Sequence, residues 1–449
     1  MNYQNTLHEE AREKLEEVGK ADILVGIPSY NNEQTIGQVV RAVQFGLAKY
    51  FPKNRAVIMN CDGGSTDRTR EIVKKTSVYT NLETILVQHP VHPAPTFATS
   101  YYGLAGKGSA FKAIFEMAVE LNVSACVVVD SDLRSITPEW VELLAGPILI
   151  KGYDYVAPYY SRHKYDGTIT NSIVYPLTRA LYGKRVRQPI GGDFGFSRRI
   201  AARFLSKDVW GTDVARYGID IWMSTIAISE DFKICQSFLG SKIHDAKDPS
   251  QSLGPMFKQV VATLFYLMTE YEDKWQHITT SRPAALYGFR FETPPEPVMV
   301  KLEPMIEKYV AGVQEHRDYW RKVLPEETVE ALEEIASLPP EKFHFPISLW
   351  TKVICDFAIA YKNNRQHLSS EAENIIGVLV SSLVPIYFGR TASFVIETEN
   401  MPTYEAEGLI ENLCDEFEKT KPYLIKRWSD LSCEKNGKLT GERKRSVMV

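Results

Sequence analysis

Apolar and polar positions along the first part of the chain predict strands and helices in alternation. Short β-rich runs cover Ile23–Pro28, Ala56–Asn60, Thr84–Gln88 and Cys126–Val129. Between the runs, apolar residues recur at helical spacing, as in the stripe from Ile36 to Leu47. Because strands and helices take turns, the pattern predicts right-handed βαβ units and an α/β domain with a mostly parallel, doubly wound sheet.

The pattern changes further along the chain. It predicts a strand at Tyr153–Tyr159, a helix at Thr170–Tyr182 and a short strand pair at Asp231–Leu239. From about residue 255 helical periodicity dominates, broken by proline-rich punctuation. We therefore expect an α/β domain over residues 1–254 and a helical C-terminal extension over residues 255–449.

Composition narrows the class of protein. Hydrophobic residues make up 44% and charged residues 24%, which is ordinary for a soluble globular protein. The formal charge of −4 gives no reason to expect nucleic acid as a partner. Six scattered cysteines without a CxxC pair suit reduced thiols. The first twenty residues are polar and show no secretory signal, so we expect a cytoplasmic protein. The apolar stretch Ile375–Phe388 is short and interrupted by serines, so we expect a core helix and no integral membrane segment.

The triplet Asp130-Ser131-Asp132 follows an apolar strand, and it carries the strongest chemical signal. The carboxyl end of a parallel strand is where α/β proteins place ligands. Two carboxylates there are costly unless they hold a cation or hydrogen bonds, and oxygen ligands suit Mg²⁺ or Mn²⁺. The alternative is a strand-end aspartate that caps the next helix.

Three further motifs lie at or just after predicted strand ends. Pro28, Tyr30 and Asn32 belong to a turn that can face a flat base, although helix capping explains it equally well. Asp62 opens a glycine-containing turn and can accept a hydrogen bond from a base, while Ser65 or Thr66 would cap the next helix. Lys107, between two glycines at a helix start, places a cation and free amides where a phosphate is favoured, but the P-loop spacing is absent.

Taken in order, the segments PSYNN, DGGSTD, GKG and DSD resemble the nucleotide-sugar-binding half of a GT-A glycosyltransferase. The resemblance covers about residues 22–135 and implies a nucleoside diphosphate-sugar donor. It places Asp62 on the base, Lys107 near the phosphates and Asp132 on the divalent cation, with Asp130 and Ser131 supporting the nucleotide sugar. Residues 136–254 would then form the acceptor side.

Downstream segments sharpen the resemblance. QPIGGD, with Gly192 and Asp193, YGID, with Asp220, and KIHD, with His244, are similar to segments of the retaining mannosylglycerate, glucosylglycerate and glucosyl-3-phosphoglycerate synthases. By this resemblance Asp193 and Asp220 lie by the sugar as catalytic residues, and His244 completes the metal site with Asp132. From the residues alone, Asp220 could instead cap a helix, His244 could make a local hydrogen bond, and Arg134 could bind either an acidic acceptor or a surface carboxylate.

The favoured hypothesis is a retaining hexosyltransferase that moves glucose or mannose from a UDP- or GDP-sugar to glycerate or 3-phosphoglycerate, making a compatible solute. One alternative is an inverting family-2-like transferase that acts on a polysaccharide or lipid carrier, but no QxxRW-type segment follows Asp193 or Asp220. A further alternative is a non-catalytic nucleotide-sugar-binding protein. The helical extension is a candidate surface for a homodimer.

Overall fold

The computed structural model describes residues 7, 9–78, 96–99, 106–244, 253–289, 295–365 and 370–445. The predicted strand Thr84–Gln88 lies outside the described residues. The chain divides into two compact units. Unit 1 comprises residues 1–170, 184–247 and 282–298, and unit 2 comprises residues 171–183, 248–281 and 299–449.

Unit 1 is built on an eight-stranded sheet whose order is β10-β8-β5-β7-β4-β1-β2-β3. Its strands are β1 (Ile23–Ser29), β2 (Ala56–Asp62), β3 (Thr96–Thr99), β4 (Ala125–Val128), β5 (Tyr155–Ser161), β7 (Phe194–Ser197), β8 (Ile234–Ser241) and β10 (Ala285–Tyr287). Two short strands, β6 (Lys184–Arg185) and β9 (Arg282–Pro283), pair with each other in parallel. Strand β7 runs antiparallel to both of its neighbours, and the other pairs are parallel. The predicted α/β class with a mostly parallel sheet is confirmed.

Helices cover both faces of this sheet. The helices of unit 1 are α1 (Glu9–Val18), α2 (Ile36–Tyr50), α3 (Thr69–Val78), α4 (Lys107–Glu120), α5 (Glu139–Lys151), α7 (Arg198–Leu205) and α8 (Ile219–Ser229), with a 3₁₀ turn at Asp213–Ala215. Strand β2 is buried along its whole length, and one core cluster joins apolar residues of β1, β2 and β4 to those of α2 and α5. Burial on both faces explains why these strands read as continuous apolar runs.

Local details differ from the sequence predictions. The segment predicted as a strand pair at Asp231–Leu239 forms the single strand β8, because β8 pairs in parallel with β5 and not with a hairpin partner. A register shift between Tyr159 and Tyr160 marks a bulge in that pairing. The helix predicted at Thr170–Tyr182 begins as a π-helix, Thr170–Val174, and continues as α6, Tyr175–Tyr182.

Unit 2 is helical in the part that the structure describes. It contains α6, α9 (Leu253–Glu270), α10 (Glu272–Trp275), α11 (Leu302–Trp320), α12 (Glu326–Ala336), α13 (Ile347–Arg365), α14 (Ser370–Thr398) and α15 (Thr403–Arg445), with a 3₁₀ turn at Pro340–Lys342. The predicted helical extension is thus present. Two segments cross the predicted boundary, because residues 171–183 belong to unit 2 and β10 extends the sheet of unit 1 beside β8.

Helix α14 contains the apolar stretch that was predicted as a core helix. The helix extends beyond the apolar stretch Ile375–Phe388 at both ends. By length and composition alone, its segment Asn374–Thr398 could cross a membrane. Within the protein, 61% of its most apolar window is buried. Ser382, Arg390 and Ser393 of this helix are buried as well, which is typical of a helix packed inside a protein.

Candidate active site

The loops that follow β1 and β4 are joined at the carboxyl edge of the sheet. The Ser131 hydroxyl donates to Asn32 Oδ1 (2.8 Å), and the Thr35 hydroxyl donates to the Ser131 carbonyl (2.7 Å). Asn32 Oδ1 also accepts from the Tyr30 amide (2.9 Å). The structure therefore brings the PSYNN and DSD segments together, as the βαβ pattern predicted.

Asp62 is buried, and its carboxylate serves its own loop. Oδ1 accepts from the amides of Gly64 (3.1 Å) and Ser65 (2.9 Å), and Oδ2 accepts from the hydroxyls of Ser65 (2.6 Å) and Ser29 (3.3 Å). These bonds hold the loop in shape, so Asp62 positions the loop, and a hydrogen bond from a base to Asp62 stays a prediction. The exposed Tyr30 ring is the part of this region that is open to a planar ligand.

The cap of helix α3 was missed by the sequence reasoning. Asp67 Oδ1 accepts from both the amide (2.9 Å) and the hydroxyl (2.6 Å) of Thr69, the first residue of α3. Asp67 Oδ2 accepts from the Glu33 amide (3.0 Å), which links this helix to the loop after β1. The predicted caps, Ser65 and Thr66, contact Asp62 and Asn31 instead.

Asp130 lies between two ammonium groups. Lys107 Nζ is 2.8 Å from Oδ1, and Lys242 Nζ is 2.7 Å from Oδ2. Burial would raise the pKa of Asp130, but the two lysines outweigh burial and hold that pKa far below its ordinary value. Asp130 is therefore an ionised carboxylate whose charge is already compensated.

Lys242 is the functional residue that the sequence reasoning did not assign. Its buried ammonium donates to Asp130 Oδ2, to Asp193 Oδ2 (2.8 Å) and to the Gly191 carbonyl (2.8 Å). An ammonium has three donors, so these acceptors use all of them. The sequence signal was a lysine directly after a buried strand and two residues before His244.

Asp193 is fully buried behind Asp130. Its Oδ1 accepts from the Asp130 amide (2.7 Å), and its Oδ2 accepts from Lys242 and from the Tyr160 hydroxyl. Both oxygens are thus engaged by the protein. These contacts show that Asp193 helps to position Asp130 and Lys242, and its predicted place beside the donor sugar stays a prediction.

Gly192 makes the approach of Asp130 and Lys242 sterically feasible. Its φ of +89° lies in the left-handed region that favours glycine, and a Cβ at this position would lie 2.0 Å from Asp130 Oδ2. We predicted Gly192 as a donor-binding residue, and the geometry instead assigns it to the packing around Asp130. Gln188, from the same segment, is bonded to the backbone of Tyr160 through both ends of its amide.

Lys107 begins helix α4, as predicted, but the helix start is not free. The Gly108 amide donates to the Arg216 carbonyl (3.2 Å), so the expectation of free amides for a phosphate is wrong at this residue. Burial would lower the pKa of Lys107, and the nearby carboxylates of Asp130 and Asp220 outweigh it and raise the pKa. Lys107 is therefore a charged ammonium held next to Asp130.

Asp220 lies in the first turn of helix α8, which begins at Ile219. The residue is only 7% exposed, and its Oδ1 has no hydrogen-bond partner among the residues that the structure describes. Lys107 Nζ lies 3.5 Å from that oxygen, and burial raises the pKa of Asp220. Because Asp220 is inside the helix and makes no capping bond through Oδ1, the capping alternative does not explain it.

Asp132 and His244 lie on segments that run side by side. Leu133 and His244 form an antiparallel bridge, and the Arg134 amide donates to the Ile243 carbonyl (2.8 Å). Burial and the neighbouring Asp130 raise the pKa of Asp132, so a cation beside this carboxylate would be favourable. These residues fit a divalent cation that takes one carboxylate and one imidazole from the protein.

No group of three or more histidine, cysteine or acidic side chains suited to a metal occurs among the described residues. Mg²⁺ in nucleotide enzymes commonly takes one or two carboxylates, several waters and the phosphates of the substrate. Two protein ligands are therefore enough when a diphosphate supplies the others.

Arg134 pairs with Glu296 (2.9 Å) near the surface, which is the second of its two predicted roles.

Comparison with known proteins bears on this geometry. No protein-family model matches the chain. Glucosyl-3-phosphoglycerate synthase of Petrotoga mobilis is 25% identical over 273 residues, which are 58% of this chain and 77% of that protein. The enzyme of the same name from Mycolicibacterium smegmatis is 25% identical over 262 residues, 54% of this chain and 76% of that protein. The predicted resemblance is confirmed.

A crystal structure of glucosyl-3-phosphoglycerate synthase from Mycobacterium tuberculosis with Mn²⁺, UDP-glucose and phosphoglyceric acid is also similar. Its TM-score is 0.43 at 24% identity, covering 57% of this chain and 83% of that chain. Another crystal structure of that enzyme, with Mg²⁺ and UDP, gives a TM-score of 0.42 at 23% identity and covers 57% of this chain and 82% of that chain. The predicted class, a hexosyltransferase, agrees with the name of the two relatives from Petrotoga mobilis and Mycolicibacterium smegmatis.

Proposed function

We propose that this protein is a divalent-cation-dependent glycosyltransferase that moves glucose from a nucleoside diphosphate-glucose to 3-phosphoglycerate with retention of configuration. The acceptor and the sugar follow the name shared by the two curated relatives. The base of the donor, uracil or guanine, is left to experiment. The sequence analysis also allowed mannose in place of glucose and glycerate in place of 3-phosphoglycerate.

One observation supports the proposal most strongly. Asp132 and His244 lie on adjacent segments at the carboxyl edge of the sheet, directly beyond a carboxylate, Asp130, that two lysines hold in place. This arrangement offers two ligands of the kind that Mg²⁺ or Mn²⁺ accepts, with the Lys107 ammonium held beside Asp130 in the same triplet as Asp132.

The residues of the chain have distinct roles in the proposed reaction. Asp132 and His244 would hold the cation, which, when bound, supplies Lewis-acid stabilisation of the diphosphate leaving group. Lys107 adds positive charge on the side of Asp130. Asp130, Asp193 and Lys242 keep the two ligand-bearing segments in register, and the exposed Tyr30 ring is the candidate platform for the base.

Asp220 is the candidate catalytic residue. Its buried Oδ1 makes no hydrogen bond within the described residues and lies 3.5 Å from Lys107 Nζ. This oxygen can accept a hydrogen bond from a hydroxyl of sugar or acceptor, or stabilise positive charge that develops on the sugar ring. Retention rests on the resemblance to the retaining synthases. It would proceed either through a covalent carboxylate adduct or by attack on the face from which the diphosphate leaves.

The alternative is an inverting transferase that acts on a polysaccharide or a lipid carrier. It calls for an apolar surface that faces a membrane, and the segment Asn374–Thr398 is the candidate among the described residues. Since most of the apolar window of this segment is buried inside the protein, the small acidic acceptor remains the favoured choice. A cytoplasmic location and a homodimer remain predictions; the five cysteines whose side chains are described are buried free thiols, which suits a reducing compartment.

The decisive experiment is a screen of donors and acceptors with Mg²⁺ or Mn²⁺. UDP- and GDP-activated glucose and mannose are each combined with 3-phosphoglycerate, glycerate and glycerol, and products are identified by mass spectrometry. We expect transfer from a glucose donor to 3-phosphoglycerate, and an α-anomeric proton in the NMR spectrum of the product. Absence of transfer to every acidic acceptor would refute the proposed function, and a β-linked product would refute retention alone.

A further inference from the structure

Arg162 follows the end of strand β5 at the same edge of the sheet as the candidate metal ligands. Strand β8 pairs with β5, and it is followed directly by Lys242 and His244. Asp166 links the two sides, because its Oδ2 lies 3.4 Å from Arg162 Nε and 3.9 Å from His244 Nε2. The carboxylate of Asp166 therefore lies between the guanidinium of Arg162 and the imidazole of His244, a predicted metal ligand.

The guanidinium of Arg162 is enclosed but incompletely bonded. Its side chain is 14% exposed, and it lies 5.3 Å from the centre of the Tyr160 ring. Its Nε is buried and makes no hydrogen bond within the described part of the chain, although Asp166 is close. A buried donor without a partner costs free energy, and a guanidinium is charged at every accessible pH.

Gly167 completes the cradle around this guanidinium. Its φ is +71°, and a Cβ there would lie 2.8 Å from Arg162 Nη1. The loop therefore holds the guanidinium in a narrow space and does not leave it in solvent. A rigid, planar group with parallel donors is suited to binding a carboxylate or a phosphate through two hydrogen bonds.

The other cations at this edge are engaged elsewhere. Lys242 donates to three acceptors, and Lys107 is held by Asp130 and lies near Asp220. Arg134 pairs with Glu296, and its side chain is 45% exposed. Of these four cations in the described part of the chain, Arg162 is the enclosed one that has a guanidinium nitrogen without a hydrogen bond.

We propose that Arg162 binds the anionic group of the acceptor, a carboxylate or a phosphate, and thereby selects an acidic acceptor over a neutral polyol. This inference rests on the proposed function, since it assigns the acceptor end of the same site. It makes Arg162 a specificity-determining residue. Asp166 orients the guanidinium, and the acceptor anion supplies the missing partner.

The test compares wild-type protein with Arg162→Met and Arg162→Lys, measuring KM and kcat for 3-phosphoglycerate, glycerate and glycerol. For Arg162→Met we expect the KM for 3-phosphoglycerate to rise by about 30-fold or more, as the loss of a hydrogen-bonded charge contact predicts. Binding of the donor, measured by calorimetry with Mn²⁺, should change by less than about threefold, within the scatter of surface substitutions. Arg162→Lys should fold normally and raise the KM less, because it keeps the charge and loses the paired donors.

Comparison of 3-phosphoglycerate with glycerate identifies which anionic group of the acceptor Arg162 binds. If Arg162 binds the phosphate, the wild-type preference for 3-phosphoglycerate over glycerate disappears in Arg162→Met. If Arg162 binds the carboxylate, the KM values of both acids rise together while glycerol is unaffected. Either result supports the proposal.

The competing arginine and a matched arginine provide the controls. Arg134→Met should leave the KM for 3-phosphoglycerate within about twofold, and so should Arg203→Met, which removes a guanidinium paired with Glu230 elsewhere in unit 1. An unchanged acceptor KM in both Arg162 variants, or an equal loss of donor and acceptor binding, would overturn the inference. Wild-type protein that transfers to no acidic acceptor would instead refute the proposed function.

Discussion

Both units of this protein contain a cluster of buried charge, and the two clusters are built differently. In unit 2 the buried Arg179 is bonded to Glu411 (2.6 Å), Asp415 (2.8 Å) and Glu418 (2.9 Å), whose side chains are partly exposed. In unit 1 two of the acids, Asp193 and Asp220, are themselves buried, and the side chain of Asp130 is 21% exposed. Asp130, Asp193 and Asp220 surround two lysines, which leaves one negative charge in excess.

We interpret the difference as that between a structural cluster in unit 2 and a candidate functional cluster in unit 1. The acids around Arg179 remain partly exposed, and their bonds hold helix α6 against helix α15. A role in stability is enough to explain this cluster. In unit 1 an oxygen of Asp220 is buried without a hydrogen bond, and Asp132 carries a pKa raised by burial and by Asp130. Groups that stability alone would not favour are typical of sites that bind ligands.

The largest expected effect is that of Asp132→Ala. Removing a metal ligand from a site with two protein ligands should lower transfer by about a thousandfold or more, since metal stabilisation of the leaving group is lost. Steady-state transfer at saturating Mn²⁺ measures it, and chelation of the metal from wild-type protein should have the same effect. Near-normal activity in Asp132→Ala would contradict a functional role for the charged cluster of unit 1.

Asp220→Asn should act on turnover and spare binding. The substitution keeps the size of the side chain and removes its charge, so we expect kcat to fall by about a hundredfold or more, as for loss of a transition-state contact. Calorimetry of the donor with Mn²⁺ should give an unchanged affinity. If kcat persists, or if donor affinity falls in parallel, Asp220 is a structural residue after all.

Lys242→Met should destabilise the protein, because it leaves Asp130 and Asp193 without their shared cation. We expect a loss of about 3–5 kcal/mol in the free energy of unfolding, the usual cost of breaking a buried pair. Thermal unfolding measures it, with Lys233→Met, an exposed lysine of the same unit, as the control. Adding Asp193→Asn to Lys242→Met should recover part of the loss, and strict additivity of the two changes would speak against the bonded cluster.

Unit 2 has a pH-sensitive group of its own in Asp356, which contacts Arg427 and Tyr423. Burial raises the pKa of Asp356 to about 6 from an ordinary value of 3.8, although Arg427 opposes the shift. The folded state therefore holds this proton more tightly than the unfolded chain, and stability falls as the pH rises from about 4 to 6, by at most about 3 kcal/mol. Thermal unfolding of wild-type and Asp356→Asn proteins across this range should converge toward low pH, whereas parallel curves would contradict the shift.

The smallest effect is expected for Arg179→Met. Because its acidic partners can return to water, we expect a loss of about 1–2 kcal/mol, less than for a fully buried pair. The values of kcat and KM should stay at those of wild-type protein. Glu411→Gln, which removes one partly exposed partner, is the matched control and should cost less; altered kinetics in Arg179→Met would show that the two clusters are not separate in function.

Strands β1, β2, β4 and β5 could be predicted because they follow from hydrophobic periodicity, whereas the short strands β3, β7 and β10 were not predicted. The resemblance and the rule that ligands lie at carboxyl strand ends also led us to expect the segments of Asp132 and His244 near each other, and these segments lie side by side. The role of Lys242 could not be predicted, because it depends on the pairing of β8 with β5 and on the bulge between Tyr159 and Tyr160. Likewise, the spacing of QPIGGD does not reveal that Asp193 accepts a hydrogen bond from the Asp130 amide.

Calorimetry of nucleoside diphosphate binding tests the central claim most directly. UDP and GDP are each titrated into wild-type, Asp132→Ala and Arg179→Met proteins, with and without Mn²⁺. We predict that wild-type and Arg179→Met proteins bind one of the two at least about tenfold more tightly with Mn²⁺, since Asp132, His244 and the phosphates would all hold the cation. Asp132→Ala should lose this difference. Equal affinity with and without Mn²⁺ in wild-type protein, or an undiminished effect of Mn²⁺ in Asp132→Ala, would contradict the assignment of unit 1 as a metal–diphosphate site.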